Sequence, residues 1–350
     1  MHRIFRAFGQ RFCLALALTF GPFGAVQATP APVDPGFQNF LAGVKAEALS
    51  QGISTETIDA AFKDVQELRR VVKSDRSQPE VKLTFHRYAT RLLTDGNINT
   101  GRARYKEHRE LLREIEDQYG VQGRFIMAFW GMETRYGAIT GDIPVVSAVA
   151  TLAYDKRRSA FFKEQLMAVL KMLDKGYTDL ATLKGSWAGA MGQPQFIPTS
   201  YLAYAVDHDG DGKRDIWHSK ADTFASIANY LAKHGWDHNQ TWGREVQVPT
   251  GLRNTFTNMA RTEGPGCRAM KRDISVAKSL GAWSEAGVTR IDGRALPNRP
   301  TLQANLVMPD GKDGRAFLVY SNYPSILRYN CAHLYALTIG LLSDKIAGFR

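Results

Sequence analysis

Apolar residues recur at intervals of three and four along much of the chain, and this spacing predicts a mostly helical protein. The pattern runs from Phe37 to about Tyr119. Ser54 precedes TETIDAAFKDV as a helix-capping residue, and Gly120 is placed to end the helix in RYKEHRELLREIEDQYG. The segment RSAFFKEQLMAVLKMLDKG has the same period. The expected core positions are Leu111, Leu112, Ile115, Tyr119, Phe161, Phe162, Leu166, Val169, Leu170 and Leu173.

After about Trp242 the pattern changes to short alternating or β-branched runs broken by Gly, Pro, Asn and Asp. The runs REVQVP, TRIDG, TLQANLVMP and RAFLVYSNYPSILRYN are predicted to be strands and turns. The last run, CAHLYALTIGLLSDKIAGF, returns to a helical period. The expected fold class is therefore mainly α with a small β-rich subdomain (α+β).

The first 28 residues have the pattern of a secretory signal peptide, with a soluble N-terminal helix as the alternative. A basic stretch, MHRIFRAFGQR, precedes the apolar FCLALALTFGPFGAV, and small residues precede a cleavage point after Ala28. The apolar run is short and broken by Gly and Pro, so we expect no transmembrane span. We expect an exported, periplasmic protein.

Charge and cysteine content limit the partners. The formal net charge is +11, and it is +8 without Arg3, Arg6 and Arg11 of the predicted signal peptide. A basic exported protein meets anionic lipid or an acidic wall polymer more readily than nucleic acid, so no nucleic-acid partner is expected. Cys267 and Cys331 either pair in one disulfide or remain two thiols, and the sequence leaves both alternatives open.

One carboxylate is set into an apolar run, FIMAFWGMETRYGAITG. Glu133 follows Phe129 and Trp130 on a predicted helix that breaks at Gly137. A carboxyl group among large apolar side chains is poorly solvated, which favours its neutral form and raises its pKa, as a general acid requires. The alternative is a partly exposed glutamate paired with Arg135 or another basic residue.

A second stretch, KGSWAGAMGQPQFIPTSYLAYAVD, is rich in small residues that would let a polymer approach the backbone. Trp187, Phe196 and Tyr201 offer aromatic faces suited to sugar rings. Gln193 and Gln195 offer amides for hydroxyl and acetamido groups. The alternative is a tightly packed loop before a helix that begins near Pro198.

WGMETRYG, followed about fifty residues later by GSWAGAMGQPQFIPTSY, resembles the lytic murein transglycosylases of the B type, exported enzymes with a lysozyme-like fold that cleave peptidoglycan. The resemblance extends over SDRSQPEVKLTFHRY, ATLAYDKRRSAFF, DGDGKRDIW and LVYSNYPSILRYN. It implies an N-terminal helical region (29–120), a lysozyme-like catalytic core (121–242), a β-rich subdomain (243–318) and a C-terminal segment (319–350) that packs back on the core.

The resemblance also implies roles for residues at matching positions. Glu133 would be the catalytic acid/base, with Ser186 and Gln195 lining the cleft beside it. Arg158 would be a cleft arginine, with a structural salt bridge as the alternative. The implied saccharide-groove tyrosines are Tyr88, Tyr230, Tyr323 and Tyr329.

The implied mechanism uses one carboxylate instead of the usual pair. Glu133 would protonate the bond between N-acetylmuramic acid and N-acetylglucosamine, then accept the proton of the 6-hydroxyl as a 1,6-anhydro ring closes. No second carboxylate stands out, and Asp142 is read as a loop residue. Alternatives are a hydrolytic muramidase and a catalytically silent peptidoglycan-binding scaffold. The expected partners are peptidoglycan strands and, beyond them, complexes of cell-wall enzymes.

The segment DHDGDGKRDIWH, residues 207–218, follows the EF-hand loop pattern. The positions that would bind calcium are Asp207, Asp209, Asp211, Lys213 and Asp215. His218 stands at the twelfth position in place of a bidentate glutamate, and Arg214 stands where an apolar residue is usual. Part of the resembling family carries calcium here; the alternative is a turn that retains only the loop shape. No cofactor is expected to be required for the chemistry.

Overall fold

The computed structural model describes residues 34–77, 83–256 and 267–349. The predicted signal peptide, residues 1–28, lies outside the described residues. The mainly helical fold with a small antiparallel sheet is confirmed. In the described part of the chain, no helix has the length and apolar character needed to cross a membrane.

The described residues form helices connected by loops and by short strands. The helices are α1 (Pro35–Ser50), α2 (Thr55–Phe62), α3 (Arg69–Arg76), α4 (Phe85–Leu92), α5 (Asp95–Glu107), α6 (Arg109–Tyr119), α7 (Gly123–Thr134), α8 (Val145–Tyr154), α9 (Ser159–Asp174), α10 (Pro198–Tyr204), α11 (Lys220–Lys233), α12 (Thr250–Asn254), α13 (Leu280–Glu285), α14 (Tyr323–Tyr329) and α15 (His333–Ile346). The strands are β1 (Ile143–Pro144), β2 (Lys184–Gly185), β3 (Gly243–Gln247), β4 (Lys278–Ser279), β5 (Thr289–Arg290), β6 (Gln303–Val307) and β7 (Ala316–Val319).

The chain divides into two compact units that differ from the four segments expected from the sequence. Residues 83–132, 230–256 and 267–349 form the sheet unit, which contains the five-stranded sheet. Residues 34–77 and 133–229 form the Glu133 unit. The division falls inside α7 and α11, so the sequence boundaries expected at 120 and 242 are not those of the structural units.

Helix α8 is the central element of the Glu133 unit. Its sequence VVSAVATLA is small and apolar, and every residue from 145 to 153 is buried. Helices α3 and α9 pack against it, and α2 and α10 pack against α9. The predicted cap is confirmed: Ser54 Oγ accepts from the Thr57 amide at 3.2 Å and donates to Asp174 at 2.7 Å, which joins the start of α2 to the end of α9.

The sheet unit is built on antiparallel strands in the order β4-β6-β7-β3-β5. Strands β6 and β7 pair with Val307 opposite Phe317, and β3 pairs with β7 through Gly243 and Val319. Trp283 of α13 is fully buried against this sheet and donates its indole N–H to the Ala304 carbonyl at 3.0 Å.

One sequence prediction is wrong in this unit. In RAFLVYSNYPSILRYN only Ala316–Val319 is a strand, and Tyr323–Tyr329 is a helix. Pro324 lies in the first helical turn, where its missing N–H costs nothing. Tyr323, Ile326 and Leu327 recur at helical spacing and are buried, so their apolar face fits a helix better than a strand.

The predicted C-terminal helix is confirmed as α15, which packs against α4, α5 and α14 in the sheet unit. Gly340 allows α15 to pack closely on Trp242, the residue before β3, because a Cβ at position 340 would lie 2.2 Å from the Trp242 ring. The Trp242 indole donates to Asp344 at 2.9 Å, near the end of the same helix.

Cys267 and Cys331 form a disulfide, which decides between the two alternatives left open by the sequence. Their Cα atoms are 6.0 Å apart, and 64 positions separate them along the chain. Closing a loop of that length is expected to stabilise the fold by about 4 kcal/mol relative to the reduced chain.

His333, two residues after Cys331 of the disulfide, is buried, and both of its ring nitrogens form hydrogen bonds. The Tyr323 hydroxyl lies 2.8 Å from Nδ1, and the Arg272 carbonyl lies 2.9 Å from Nε2. Because the carbonyl can only accept, Nε2 carries the proton and Nδ1 accepts from the tyrosine. Burial lowers the pKa of His333, and burial also lowers the pKa of His234, which stacks on Tyr230.

We therefore expect the free energy of unfolding to fall as the pH falls from about 6.5, because the unfolded chain then binds protons that folded His333 and His234 resist. His333→Gln should lower stability at pH 8 but flatten this pH dependence. Urea unfolding at pH 8, 6.5 and 5.5 measures both. His86→Gln, at an exposed position, is the control. An unchanged slope in the His333 variant would contradict the expectation.

Candidate active site

Glu133 lies one residue before the end of α7 and is 4% exposed, whereas Arg135 is exposed. The burial expected from the surrounding apolar run is therefore observed, and the carboxyl group is not partly exposed. A buried carboxyl group favours its neutral form unless a nearby charge opposes this.

After Thr134, the last residue of α7, the backbone makes three left-handed residues in succession, with φ of 50° at Arg135, 59° at Tyr136 and 82° at Gly137. Glycine adopts this conformation freely, but each of the other two costs about 1 kcal/mol or more. Such backbone persists only where surrounding contacts enforce it. We call residues 134–139 the post-Glu133 turn.

Thr134 supplies those contacts. Its hydroxyl donates to the Gln193 carbonyl at 3.0 Å and accepts from the Gly137 amide at 3.1 Å. Its own carbonyl accepts from the Ile139 amide at 2.9 Å. The side chain is fully buried. Thr134 was not singled out from the sequence, although its place between Glu133 and the helix-ending glycine was the available signal.

The side chain of Gln193 does not lie where the sequence analysis expected it. Its amide was expected to face sugar groups, but the residue is 2% exposed and its side chain is used internally. Nε2 donates to the Trp217 carbonyl at 2.7 Å, and Oε1 accepts from Lys220 Nζ at 2.9 Å. Gln193 therefore links the post-Glu133 turn to the end of the loop 207–218.

Several glycines of the small-residue segment KGSWAGAMGQPQFIPTSYLAYAVD pack tightly against neighbouring backbone. A Cβ on Gly185 would lie 2.1 Å from the Ala190 carbonyl oxygen, and one on Gly192 would lie 2.8 Å from that of Ile216. Close backbone packing, and not only polymer approach, therefore requires these glycines. The expected aromatic faces of Phe196 and Tyr201 are buried within the protein.

Ser186 and Gln195 are both held by backbone groups. Ser186 is half-buried, and its Oγ accepts from the amides of Ala188 at 3.3 Å and Ala190 at 3.1 Å. Gln195 has a φ of 50° and is 8% exposed. Its Nε2 donates to the carbonyls of Thr140 at 2.9 Å and Gly192 at 3.0 Å, which fixes the side-chain orientation.

Arg158 forms a salt bridge, as its alternative interpretation expected, and its role as a cleft arginine stays a prediction. Its partner is Asp75, a 2% exposed carboxylate that Arg157 also contacts. The Arg158 guanidinium also lies 4.8 Å from the Phe162 ring centroid. Burial lowers the pKa of Arg158, and the charge of Asp75 opposes that shift. The ion pair holds the arginine in one place at the start of α9.

The four tyrosines lie in the sheet unit, in unlike surroundings. Tyr323 is fully buried with its hydroxyl on His333, and burial raises its pKa. A side chain with no exposed surface does not line a groove, so this placement corrects the expectation. Tyr230 is 7% exposed and donates to the Arg328 carbonyl at 2.8 Å.

Tyr329 and Tyr88 are each half-buried and retain accessible surface. The Tyr329 ring lies 4.7 Å from the Tyr230 ring and 4.6 Å from the Phe129 ring. Tyr88 lies on α4. These two tyrosines retain more accessible surface than Tyr230, whose role in the groove stays a prediction.

The loop 207–218 brings three carboxylates together: ligand oxygens of Asp207, Asp209 and Asp211 lie within 4.8 Å of one another. Asp207 accepts from the amides of Gly210 at 2.8 Å and Gly212 at 2.9 Å. These bonds hold its carboxylate inside the loop.

The second half of the loop is held differently. Asp215 accepts from the His218 amide at 2.9 Å and lies 3.1 Å from its Nδ1. Asp222, which was not foreseen, is fully buried and accepts from the amides of His208 and Asp215, both at 2.7 Å. Burial raises the pKa of Asp222, although these amides favour its ionised form. This carboxyl group closes the loop on α11.

Comparison with known proteins places these features in a family. The family described as Transglycosylase SLT domain matches residues 36–344. Membrane-bound lytic murein transglycosylase B of Escherichia coli K12 is 32% identical over 266 residues, which are 75% of this chain and 67% of that protein.

Two solved structures are also similar. SltB3 of Pseudomonas aeruginosa, in complex with NAG-anhNAM-pentapeptide, has a TM-score of 0.82 and 41% identity over 90% of this chain and 80% of that chain. The E. coli lytic transglycosylase Slt35, in complex with calcium, has a TM-score of 0.71 and 27% identity over 89% of this chain and 93% of that one. Since the family match spans nearly the whole described region and the similarity includes both sequence and fold, the chain belongs to the lytic transglycosylase family of the Transglycosylase SLT domain.

Proposed function

We propose that this protein cleaves the glycosidic bond between N-acetylmuramic acid and N-acetylglucosamine in peptidoglycan and leaves 1,6-anhydromuramic acid ends. Family membership supports the reaction type, and the relative SltB3 was crystallised with a ligand that contains the anhydro sugar. The observation in this chain that carries the proposal is the buried Glu133 at the end of α7, followed by a turn that other contacts enforce.

In the proposed mechanism Glu133 acts first as an acid and then as a base. Its burial favours the protonated form, which can give a proton to the glycosidic oxygen as the bond to C1 breaks. The muramic acetamido group or a short-lived oxocarbenium ion holds the positive charge at C1. The Glu133 carboxylate then accepts the proton of the 6-hydroxyl, whose oxygen closes the ring on C1 in place of water.

The residues proposed to bind the glycan are Ser186, Gln195, Arg158, Tyr88, Tyr230 and Tyr329. Support comes from rigid placement: backbone amides or carbonyls hold Ser186 and Gln195, and Asp75 holds Arg158. Fixed side chains bind with little loss of conformational entropy.

We also propose that the protein is exported to the periplasm under the direction of residues 1–28 and acts on peptidoglycan there. Complexes with other cell-wall enzymes are part of the same proposal. The basic net charge supports attraction to an acidic wall polymer.

The test of the reaction is mass spectrometry of muropeptides released from purified sacculi by residues 29–350. Products ending in 1,6-anhydromuramic acid, lighter by one water than the hydrolysed form, are expected. Reducing-end products would instead mean a muramidase. Binding without release would mean a scaffold protein.

A calcium ion is proposed for the loop 207–218, without a part in the chemistry. The clustered oxygens of Asp207, Asp209 and Asp211 suit a hard cation, and the Lys213 carbonyl and Asp215 stand at the further ligand positions. The relative Slt35 has been crystallised with calcium. Because His218 stands in place of a bidentate glutamate, weak affinity is expected.

Millimolar calcium is therefore expected to raise the melting temperature of the metal-free protein by a few degrees, about the effect of 1 kcal/mol. Asp211→Asn should abolish the shift, and Asp313→Asn, at another exposed position, should leave it intact. Differential scanning fluorimetry after chelation measures this. An unchanged melting temperature up to 10 mM would favour the bare turn.

A further inference from the structure

Helix α3 presents a solvent face made of basic and hydroxyl side chains. Its inner side buries Val71 and Asp75. The exposed side chains are those of Arg69, Arg70, Lys73, Arg76 and, at the C-cap, Ser77. At about 100° per residue, Arg69, Lys73 and Arg76 fall within about 60° of one another. We call Arg69, Arg70, Lys73 and Arg76 the α3 basic face.

This arrangement disfavours the helix. Arg69 and Lys73 are like charges one turn apart, which is destabilising. Arg69 and Arg70 lie in the first turn, at the positive end of the helix dipole. Leu68 at the N-cap provides no side-chain hydrogen bond. The packing of α3 depends on its inner side, so the fold itself gives no reason for the basic face.

The basic face is poorly neutralised by the residues that the structure describes. Arg76 pairs with Asp155 at 2.8 Å. Over residues 34–77, 83–256 and 267–349, no ion pair is formed by Arg69, Arg70 or Lys73. The carboxylate of α3 itself, Asp75, is buried and already engaged by two arginines.

We propose that the α3 basic face binds the carboxylates of the stem peptides on the peptidoglycan strand that the enzyme cleaves; this rests on the proposed function. Guanidinium groups bind carboxylates with two parallel hydrogen bonds. The face reaches the segment that carries Arg158 of the proposed glycan site, because Arg76 of the face pairs with Asp155, three residues before Arg158. The partner is thus an acidic peptide carried by the glycan.

A membrane surface fits this face less well. Helices that lie on membranes insert large apolar side chains between their basic ones. None of the exposed side chains of α3 is apolar, and Val72, at the edge of the face, is half-buried. The face can therefore attract charge but has nothing to insert into lipid.

The test compares two triple variants in a Glu133→Gln background, so that binding is measured without turnover. Arg69→Gln/Arg70→Gln/Lys73→Gln removes three charges from the face. Its binding to purified sacculi is measured by co-sedimentation at 50 and 300 mM NaCl and compared with that of the Glu133→Gln parent. At 50 mM NaCl this variant should bind about tenfold more weakly than the parent, and its affinity should depend less on the salt concentration.

The control, Lys106→Gln/Arg109→Gln/Arg113→Gln, removes the same charge from exposed positions around α6, where Glu110 and Glu114 are interspersed. It should bind sacculi within about twofold of the parent. Equal losses in the two triple variants would reduce the effect to net charge and overturn the proposal.

Sacculi stripped of stem peptides by an amidase identify the ligand. On these strands the face variant should bind as its parent does, and a persisting difference would overturn the assignment to stem peptides. Loss of binding to phosphatidylglycerol vesicles, with sacculus binding unchanged, would assign the face to lipid instead. A muramidase product pattern would contradict the proposed reaction but not this inference.

Discussion

Glu133→Gln is expected to fold, bind sacculi and release anhydro-muropeptides at least about a thousandfold more slowly than the parent. The amide has nearly the shape of the carboxylic acid but cannot donate its proton to the leaving oxygen or accept one from the 6-hydroxyl. Glu133 is 4% exposed, so the neutral amide should be tolerated in its place.

The comparison requires initial rates of muropeptide release, a melting curve and sacculus binding on the same preparation. Glu110→Gln, an exposed glutamate on α6, serves as the control and should retain full activity. Release at near-parental rates by the Glu133 variant would refute the assignment of the acid. If the variant released no muropeptides and also lost its cooperative melting transition, the carboxyl group would be needed for folding.

The second large effect is expected from Thr134→Val, which keeps the shape of the side chain and removes its hydroxyl. The Gly137 amide and the Gln193 carbonyl then lose their partner, at a cost of about 1–3 kcal/mol. Without this tie the left-handed turn should relax and move Glu133. We expect kcat to fall by about ten- to a hundredfold with little change in KM, because positioning acts on the transition state.

Thr151→Val is a matched control. Thr151 is also a buried threonine of the Glu133 unit, and its hydroxyl accepts from the Leu68 amide at 2.9 Å and donates to the Ser147 carbonyl at 2.7 Å. It should lower the melting temperature as Thr134→Val does but leave kcat unchanged. Thr134→Ser, which keeps the hydroxyl, should restore kcat. Equal kcat values in the two valine variants would make the Thr134 contacts structural only.

Much of the architecture follows from local patterns. The helical period predicted the helices on both sides of Glu133, the capping pattern predicted the start of α2 at Ser54, and Gly120 ends α6 with a φ of 70°. The burial of Glu133 was also predictable, since apolar neighbours one turn away on a helix leave a side chain little water.

The wrong expectations concern side chains whose surroundings come from distant parts of the chain. Tyr323 could have faced a groove or the interior; the helical turn of α14 and contact with His333 bury it. Gln193 could have faced a sugar, but Trp217 and Lys220 take up its amide.

The sequence by itself therefore determined the helical class, the position of the β-rich segment and a buried carboxyl group in a motif of a known family. Tertiary structure alone decided the disulfide, the pairing of Arg158 with Asp75 and the tie between Thr134 and Gln193. The physical reason is that periodicity and capping depend on neighbours within a turn or two. The partners of buried polar groups are chosen when elements dozens of residues apart pack together and each donor and acceptor must find a match.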